Sequence, residues 1–223
     1  MTDRPQEIQR RLPLLDAATE MPLYPRNEMR ICFVGDSFVN GVGDPACLGW
    51  TGRLCAEAGR AGYDITCYNL GVRRDTSADI ARRWRAEVAC RLPDECDGRV
   101  VLSFGVNDTT IEDGRRRVSL DATLTNAQAI LHEARTLYPL LVVGPPPVAD
   151  TVQNERIRAL SFSLGQLCAR EGVPYLETCK ALLARPVWLR EVAAGDGAHP
   201  GAAGYEALAQ IVRAWSGWAA WFA

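Results

Sequence analysis

Met29-Arg-Ile-Cys-Phe-Val-Gly35-Asp36-Ser37 is the stretch on which the reading of this chain turns. Residues 31–34 are apolar without interruption, and Gly35 stops the run. An extended segment with two apolar faces belongs in a sheet covered on both sides, not in a half-solvated one. Four more runs resemble it: residues 63–70, 99–104, 140–143 and 173–176. The run at 140–143 is halted by Gly144 and three prolines, which mark a loop.

Between these runs lie helical patterns. Residues 75–90 open on Asp-Thr-Ser, residue types that cap a helix N-terminus. Residues 119–137 place Leu120, Leu124, Ala127, Leu131 and Ala134 at steps of three and four. Residues 154–171 and 201–221 are also expected to be helical, although glycines interrupt both. Alternating strands and helices predict a three-layer α/β/α sandwich of the flavodoxin-like kind, with about five parallel strands. Residues 1–28 mix charge and proline and read as a surface leader; residues 29–223 read as one domain.

Composition narrows the function classes. Lys plus Arg total 25 against Asp plus Glu 27, net −2, which offers no basic field for nucleic acid. The apolar tail at 211–223 contains Arg213 and is too short to span a bilayer, so stable membrane insertion is not expected. No apolar signal segment opens the chain, and the eight cysteines show no C-x-x-C spacing. Reduced, buried thiols and a cytoplasmic location are expected. Trp215, Trp218 and Trp221 read as core, with a homo-oligomer interface as the alternative.

In an open parallel sheet, ligands gather beyond the carboxyl ends of the strands. Those ends carry Gly35-Asp36-Ser37, Asn69-Leu70-Gly71 and Gly105-Val106-Asn107-Asp108. With strand order 2-1-3-4-5, Ser37, Gly71 and Asn107 share one crevice. A serine on a strand-to-helix turn suits nucleophilic attack, and the Ser37 N–H, Gly71 N–H and Asn107 amide suit a developing oxyanion. Of two histidines, His132 falls on the polar side of its helix. His199 follows Asp196 by three residues in a glycine-rich turn, so the carboxylate can orient the imidazole toward Ser37. Asp36 and Asp108 read as braces of their turns.

Gly35-Asp36-Ser37, Gly71, Gly105-Val106-Asn107-Asp108 and Asp196-x-x-His199 resemble, in order, the four sequence blocks of the SGNH hydrolases, also called the GDSL esterase/lipase family. The resemblance implies metal-free, cofactor-free hydrolysis of a small acyl ester or thioester. By position it implies Ser37 as nucleophile, Asp196 and His199 as the rest of a triad, and Gly71 and Asn107 completing the oxyanion hole. Arg73 and Arg74 stand where many members carry small residues, which points to an anionic substrate. The Arg115-Arg116-Arg117 run reads as solvated charge, or as part of the same anion-receiving rim. Residues 38–50 and 107–118 are expected to wall the site, with Gly41 and Gly43 as hinges.

Two readings from other classes stand beside this one. Gly41-Val-Gly43-Asp-Pro-Ala46 matches the loose G-x-G-x-x-A pattern of a nicotinamide-dependent oxidoreductase. It begins six residues after the strand and contains a proline, whereas a true fingerprint closes the strand and opens the helix at once. The other reading is a non-catalytic ligand- or carbohydrate-binding module on the same fold, against which the complete Ser37, Asp196 and His199 set speaks.

Overall fold

The computed structural model describes residues 28–222. In chain order its elements are β1 (Met29–Gly35), α1 (Ser37–Asn40), α2 (Gly49–Arg60), β2 (Ile65–Gly71), α3 (Ser77–Ala89), β3 (Asp97–Ser103), α4 (Val106–Thr109), β4 (Ile111–Glu112), β5 (Arg115–Arg116), α5 (Leu120–Leu137), β6 (Leu140–Val143), α6 (Thr151–Glu171), β7 (Tyr175–Leu176), α7 (Cys179–Leu183), α8 (Pro186–Ala194), α9 (Ala202–Arg213) and α10 (Ser216–Ala219), followed by a 3-10 turn (Ala220–Phe222).

Five strands make one parallel sheet in the order β2-β1-β3-β6-β7, as the alternation of runs and helices predicts. Side chains alternate across β1 because a strand has a period of two. Met29, Ile31 and Phe33 face a core with Trp50 of α2, Trp188 of α8 and Leu208 of α9. Cys32 and Val34 face the opposite core, with Ile80 and Trp84 of α3, Ile130 and Leu131 of α5 and Leu160 and Leu164 of α6. Both layers bury whole side chains, each contributing roughly 1.5–3 kcal/mol.

Side-chain caps set the starts of α3, α5 and α6. Thr76 and Asp79 form a reciprocal capping box on α3, and Ser119 caps α5. Asp150 caps α6 through the N–H groups of Val152 and Gln153, three residues ahead of the expected start. The expected helix over 201–221 breaks instead at Trp215, whose backbone is extended. The Trp215 indole lies against Gly217, where any Cβ would sit 2.5 Å from the ring. Trp218 is buried beside Phe33, with Trp215 and Trp221 packed against the same core.

Cys32, Cys55, Cys168 and Cys179 are buried as expected, but Cys47, Cys67 and Cys90 are exposed. Cys67 is exposed because β2 is an edge strand. All eight are free thiols, and burial pushes Cys32, Cys168 and Cys179 up to about 12, which leaves those three unreactive. The predicted leader falls, but for Glu28, outside the described residues.

Candidate active site

The carboxyl end of β1 delivers Gly35 and Asp36 into α1, whose first residue is Ser37. Asp36 caps that turn by accepting from the Phe38 N–H at 3.0 Å, and the Asp36 carbonyl accepts from the Asn40 N–H. The Ser37 side chain is held at the mouth of the crevice by a buried turn braced by these two hydrogen bonds.

His199 reaches Ser37 from the far end of the chain. Its Nε2 lies 2.8 Å from Ser37 Oγ, and its Nδ1 lies 2.7 Å from Asp196 Oδ2. A carboxylate only accepts, so Nδ1 carries the ring proton and the Nε2 lone pair faces the serine hydroxyl. The other Asp196 oxygen accepts from the Ala198 and His199 N–H groups, which folds the loop into one unit. Burial pushes Asp196 up, but the hydrogen bonds from the His199 backbone, the His199 ring and the Ala198 backbone outweigh it and hold the carboxyl at about 2. The imidazole packs on Phe38, with ring centroids 4.9 Å apart. Gly43 lies under this loop; a Cβ there would sit 2.6 Å from the Pro200 carbonyl and 3.2 Å from His199 Cβ.

Gly71 and Asn107 follow the strands on either side of β1, and of the two only Asn107 lines the cavity beside Ser37. Asn107 Nδ2 donates to the Asp75 carbonyl at 2.9 Å, which leaves its second amide hydrogen free to donate. The Gly71 N–H donates to Asn69 Oδ1 at 3.0 Å, so it is already engaged. The residue must be glycine for another reason: a Cβ would lie 2.1 Å from the Asn40 nitrogen. The N–H groups of Ser37 and Arg74 have no acceptor among the described residues. Arg74 adopts φ +70°, a left-handed conformation that is strained for a residue with a Cβ.

Neither Arg73 nor Arg74 lines the cavity beside Ser37. Arg74 pairs with Glu112 at 2.9 Å, and Arg117 donates to the Arg74 carbonyl at 2.9 Å. The β4–β5 hairpin thus clasps the Arg73–Arg74 bend from outside. His132 is exposed on α5, beside Arg135 and Glu171. Asp108 braces the site from behind, accepting from the Ser77 N–H and the Thr123 hydroxyl.

Asp36 differs from these carboxylates. It is 1% exposed, and its Oδ2 has no hydrogen-bond partner among the described residues. Burial raises its carboxyl to about 7, against the Phe38 N–H that favours the anion, and the neighbouring Asp108 and Asp75 add to the rise. Asp75 in turn pairs with Arg83, whose Nη2 donates to the Gly35 carbonyl at 2.8 Å. Arg83 therefore ties the end of β1 to the segment that holds Asn107.

The cavity beside Ser37 and His199 measures about 410 Å³. Val106, Thr110, Val148, Asp150 and Gln153 line it. Residues 148–153 went unnamed in the sequence, although they follow a strand end and the rule about strand ends points to them. Gln153 Nε2 reaches Val106 O, Thr109 Oγ1 and Thr110 Oγ1, each at 3.2 Å, so α6 is stitched to the loop after Asn107. The Ala149 N–H donates to the Gly197 carbonyl at 2.8 Å, closing the far wall against the His199 loop. A larger cavity of about 650 Å³ lies between α2 and α9, but two of its arginines, Arg53 and Arg213, are paired with Asp44 and Glu57.

Among the described residues, no group of three or more His, Cys, Asp or Glu side chains is arranged to hold a metal ion. No described helix is long and apolar enough to cross a membrane. The segment containing Gly41, Gly43 and Ala46 is a run of turns, and Gly41 packs against Gly49, so no phosphate-binding strand–turn–helix forms there.

The sequence profile of the GDSL-like lipase/acylhydrolase family matches residues 33–207. No curated protein sequence matches the chain. Among solved structures, a lipase/acylhydrolase from Enterococcus faecalis superposes with TM-score 0.69 at 24% identity, over 82% of this chain and 93% of its own. Axe2, an acetylxylan esterase from Geobacillus stearothermophilus, gives TM-score 0.69 at 19% identity, over 82% and 91%. TesA gives TM-score 0.69 at 24% identity, over 83% and 96%. At these identities the likeness to solved structures establishes the fold.

Proposed function

The chain belongs to the GDSL-like lipase/acylhydrolase family and is a carboxylic ester hydrolase, and from that premise we propose that it works through an acyl-enzyme formed on Ser37. The observation that carries this reading is the continuous line of hydrogen bonds from Ser37 Oγ through His199 to Asp196. In the proposed cycle Ser37 Oγ attacks the ester carbonyl as its proton passes to His199 Nε2. Asp196 stabilises the imidazolium that results. The imidazolium then protonates the departing alkoxide, leaving an ester on Ser37. Water, activated by the same His199, releases the acid and restores the serine.

The oxyanion is assigned to the Ser37 N–H, the free amide hydrogen of Asn107 and one further backbone donor. Gly71 supplies that donor only by releasing Asn69, whereas the Arg74 N–H is unengaged and adjoins the Asp75 whose carbonyl holds Asn107. We therefore place the third donor at Arg74. Its strained backbone fits this role, since strain of this kind collects where function fixes the geometry. The domain responsible is residues 29–223, and its substrate a small acyl ester.

The deciding measurement is hydrolysis of a p-nitrophenyl acyl series from acetyl to decanoyl by wild type and Ser37→Ala. Turnover should fall by a factor on the order of 10⁴–10⁶ in the variant, with unchanged circular dichroism. Full activity in Ser37→Ala would falsify the assignment.

A further inference from the structure

The described residues that line the cavity beside Ser37 include two carboxylates, Asp150 and Asp196, and no lysine or arginine. Asp196 is committed to His199, but Asp150 is not committed to any cation. One of its oxygens accepts from the Val152 and Gln153 N–H groups, and the residue is exposed at the cavity wall. The partial positive charge at the start of α6 offsets about half a unit of this. With His199 neutral before reaction, the cavity carries a net charge of about −1.5 by that sum. Arg156 approaches from behind, donating to the Thr109 carbonyl, and does not line the cavity. The arginines that suggested an anionic substrate are outside it, and one of them is neutralised by Glu112.

Resting on the ester-hydrolase reading above, we propose that Asp150 makes this pocket select for acyl groups bearing a positive charge and against those bearing a negative one. The remaining wall fits such a ligand. Val106, Val148, Ala149 and Phe38 supply apolar contact for a short chain. The Gln153 amide nitrogen is taken up by three oxygens, on Val106, Thr109 and Thr110, so that side chain keeps only its acceptor to offer a ligand. A carboxylate-tipped acyl chain would meet Asp150 with no lysine or arginine in the wall to balance it; an ammonium-tipped chain would meet a counter-ion. Asp150 acts on where the acyl group settles, so it is a specificity-determining residue and takes no part in bond making.

Three p-nitrophenyl esters with acyl chains of similar length test this: hexanoyl, 5-carboxypentanoyl and 5-(trimethylammonio)pentanoyl. Rates in the Ser37→Ala protein are subtracted as background. The expected order of kcat/KM is cationic, neutral, anionic, with about a tenfold spread from first to last at low salt. The spread should shrink as ionic strength rises, because the cavity is open to solvent. Asp150→Asn keeps the helix cap, since asparagine caps as well as aspartate, and should collapse the spread to about twofold or less. An anionic ester cleaved as fast as the cationic one, or a spread that survives in Asp150→Asn, overturns the proposal. If the neutral ester is not cleaved at all, the parent reading fails instead. Charge selection is then read from titration of the Ser37→Ala protein with the same three acyl groups as simple amides, where the same order supports it and equal affinities overturn it.

Discussion

Ser37 and His199 meet at 2.8 Å but are held by opposite kinds of structure. The serine stands at the end of β1, flanked in the sheet by β2 and β3, in a turn that is buried. The histidine comes from an irregular loop before α9, and the Asp196 side chain that orients it is 52% exposed. The sheet fixes the serine with packing spread over many residues. The loop fixes the histidine with a handful of local hydrogen bonds and one close contact at Gly43. Errors on the first side should therefore appear as lost stability, and errors on the second as lost rate with the fold intact.

The largest test of this contrast compares the two members of the loop. His199→Ala removes the base and should lower kcat by a factor on the order of 10⁴–10⁶. Asp196→Asn keeps the loop's acceptor but places an amide donor against Nδ1, favouring the wrong tautomer. Because water reaches this exposed pair, a smaller loss is expected, on the order of 10³. Single-turnover rates measured on both variants check it. Equal losses would mean that Asp196 is as indispensable as the ring it orients, and the loop is not the adjustable side.

Next in size is Gly43→Ala. Its φ is +91°, and a Cβ would press on Pro200 and His199. Displacing the base by a fraction of an ångström should cost about 10- to 100-fold in kcat. A thermal melt run beside the assay decides whether rate or stability suffers more; a variant that unfolds yet keeps its specific rate breaks the comparison.

On the buried side, the test is stability against pH. Asp36 is raised to about 7 in the folded protein and stands near 3.8 when unfolded. Between those values the folded state holds a proton that the unfolded state has released. Unfolding free energy from this group therefore falls as pH rises from about 4 to about 7, and the loss is complete above that. The shift corresponds to at most about 4 kcal/mol. Urea denaturation at pH 5 and pH 8 should show wild type losing stability relative to Asp36→Asn; parallel changes in the two proteins would remove the orphaned carboxyl from the account.

The smallest effect is expected at Arg74. Glycine there relieves the left-handed strain and keeps the backbone N–H, while losing an exposed ion pair with little energetic weight. Arg74→Gly should hydrolyse neutral esters at close to the wild-type rate, with stability changed by less than about 1 kcal/mol. A hundredfold loss of kcat would assign the role to the guanidinium and not to the backbone.

How much of this was legible in the sequence follows from how local each signal is. The strand runs, the Asp75-Thr76-Ser77 cap and the four motif blocks lie within a few consecutive residues and could be read in order. Helix α2 is hidden in the sequence because Gly49, Gly52 and Gly59 blur its periodicity, although Trp50 and Leu54 bury one face. The Arg74 pair with Glu112 joins residues 38 apart through a hairpin only two residues wide on each side. The engagement of Gly71 by Asn69 was close at hand, but only the bend after β2 decides which N–H stays free.

Taken alone, the sequence determined the layered parallel fold, the turn that carries Ser37 and the Asp196–His199 pairing, because each rests on short-range patterning that backbone geometry converts directly into position. Tertiary structure alone decided the sign of the charge around the cavity beside Ser37. Asp150, Gln153 and Asp196 become neighbours of Ser37 only when α6 and the loop before α9 dock over the end of the sheet. Burial and partnership, which set the behaviour of Asp36 and neutralise Arg74, exist only once distant segments are packed together.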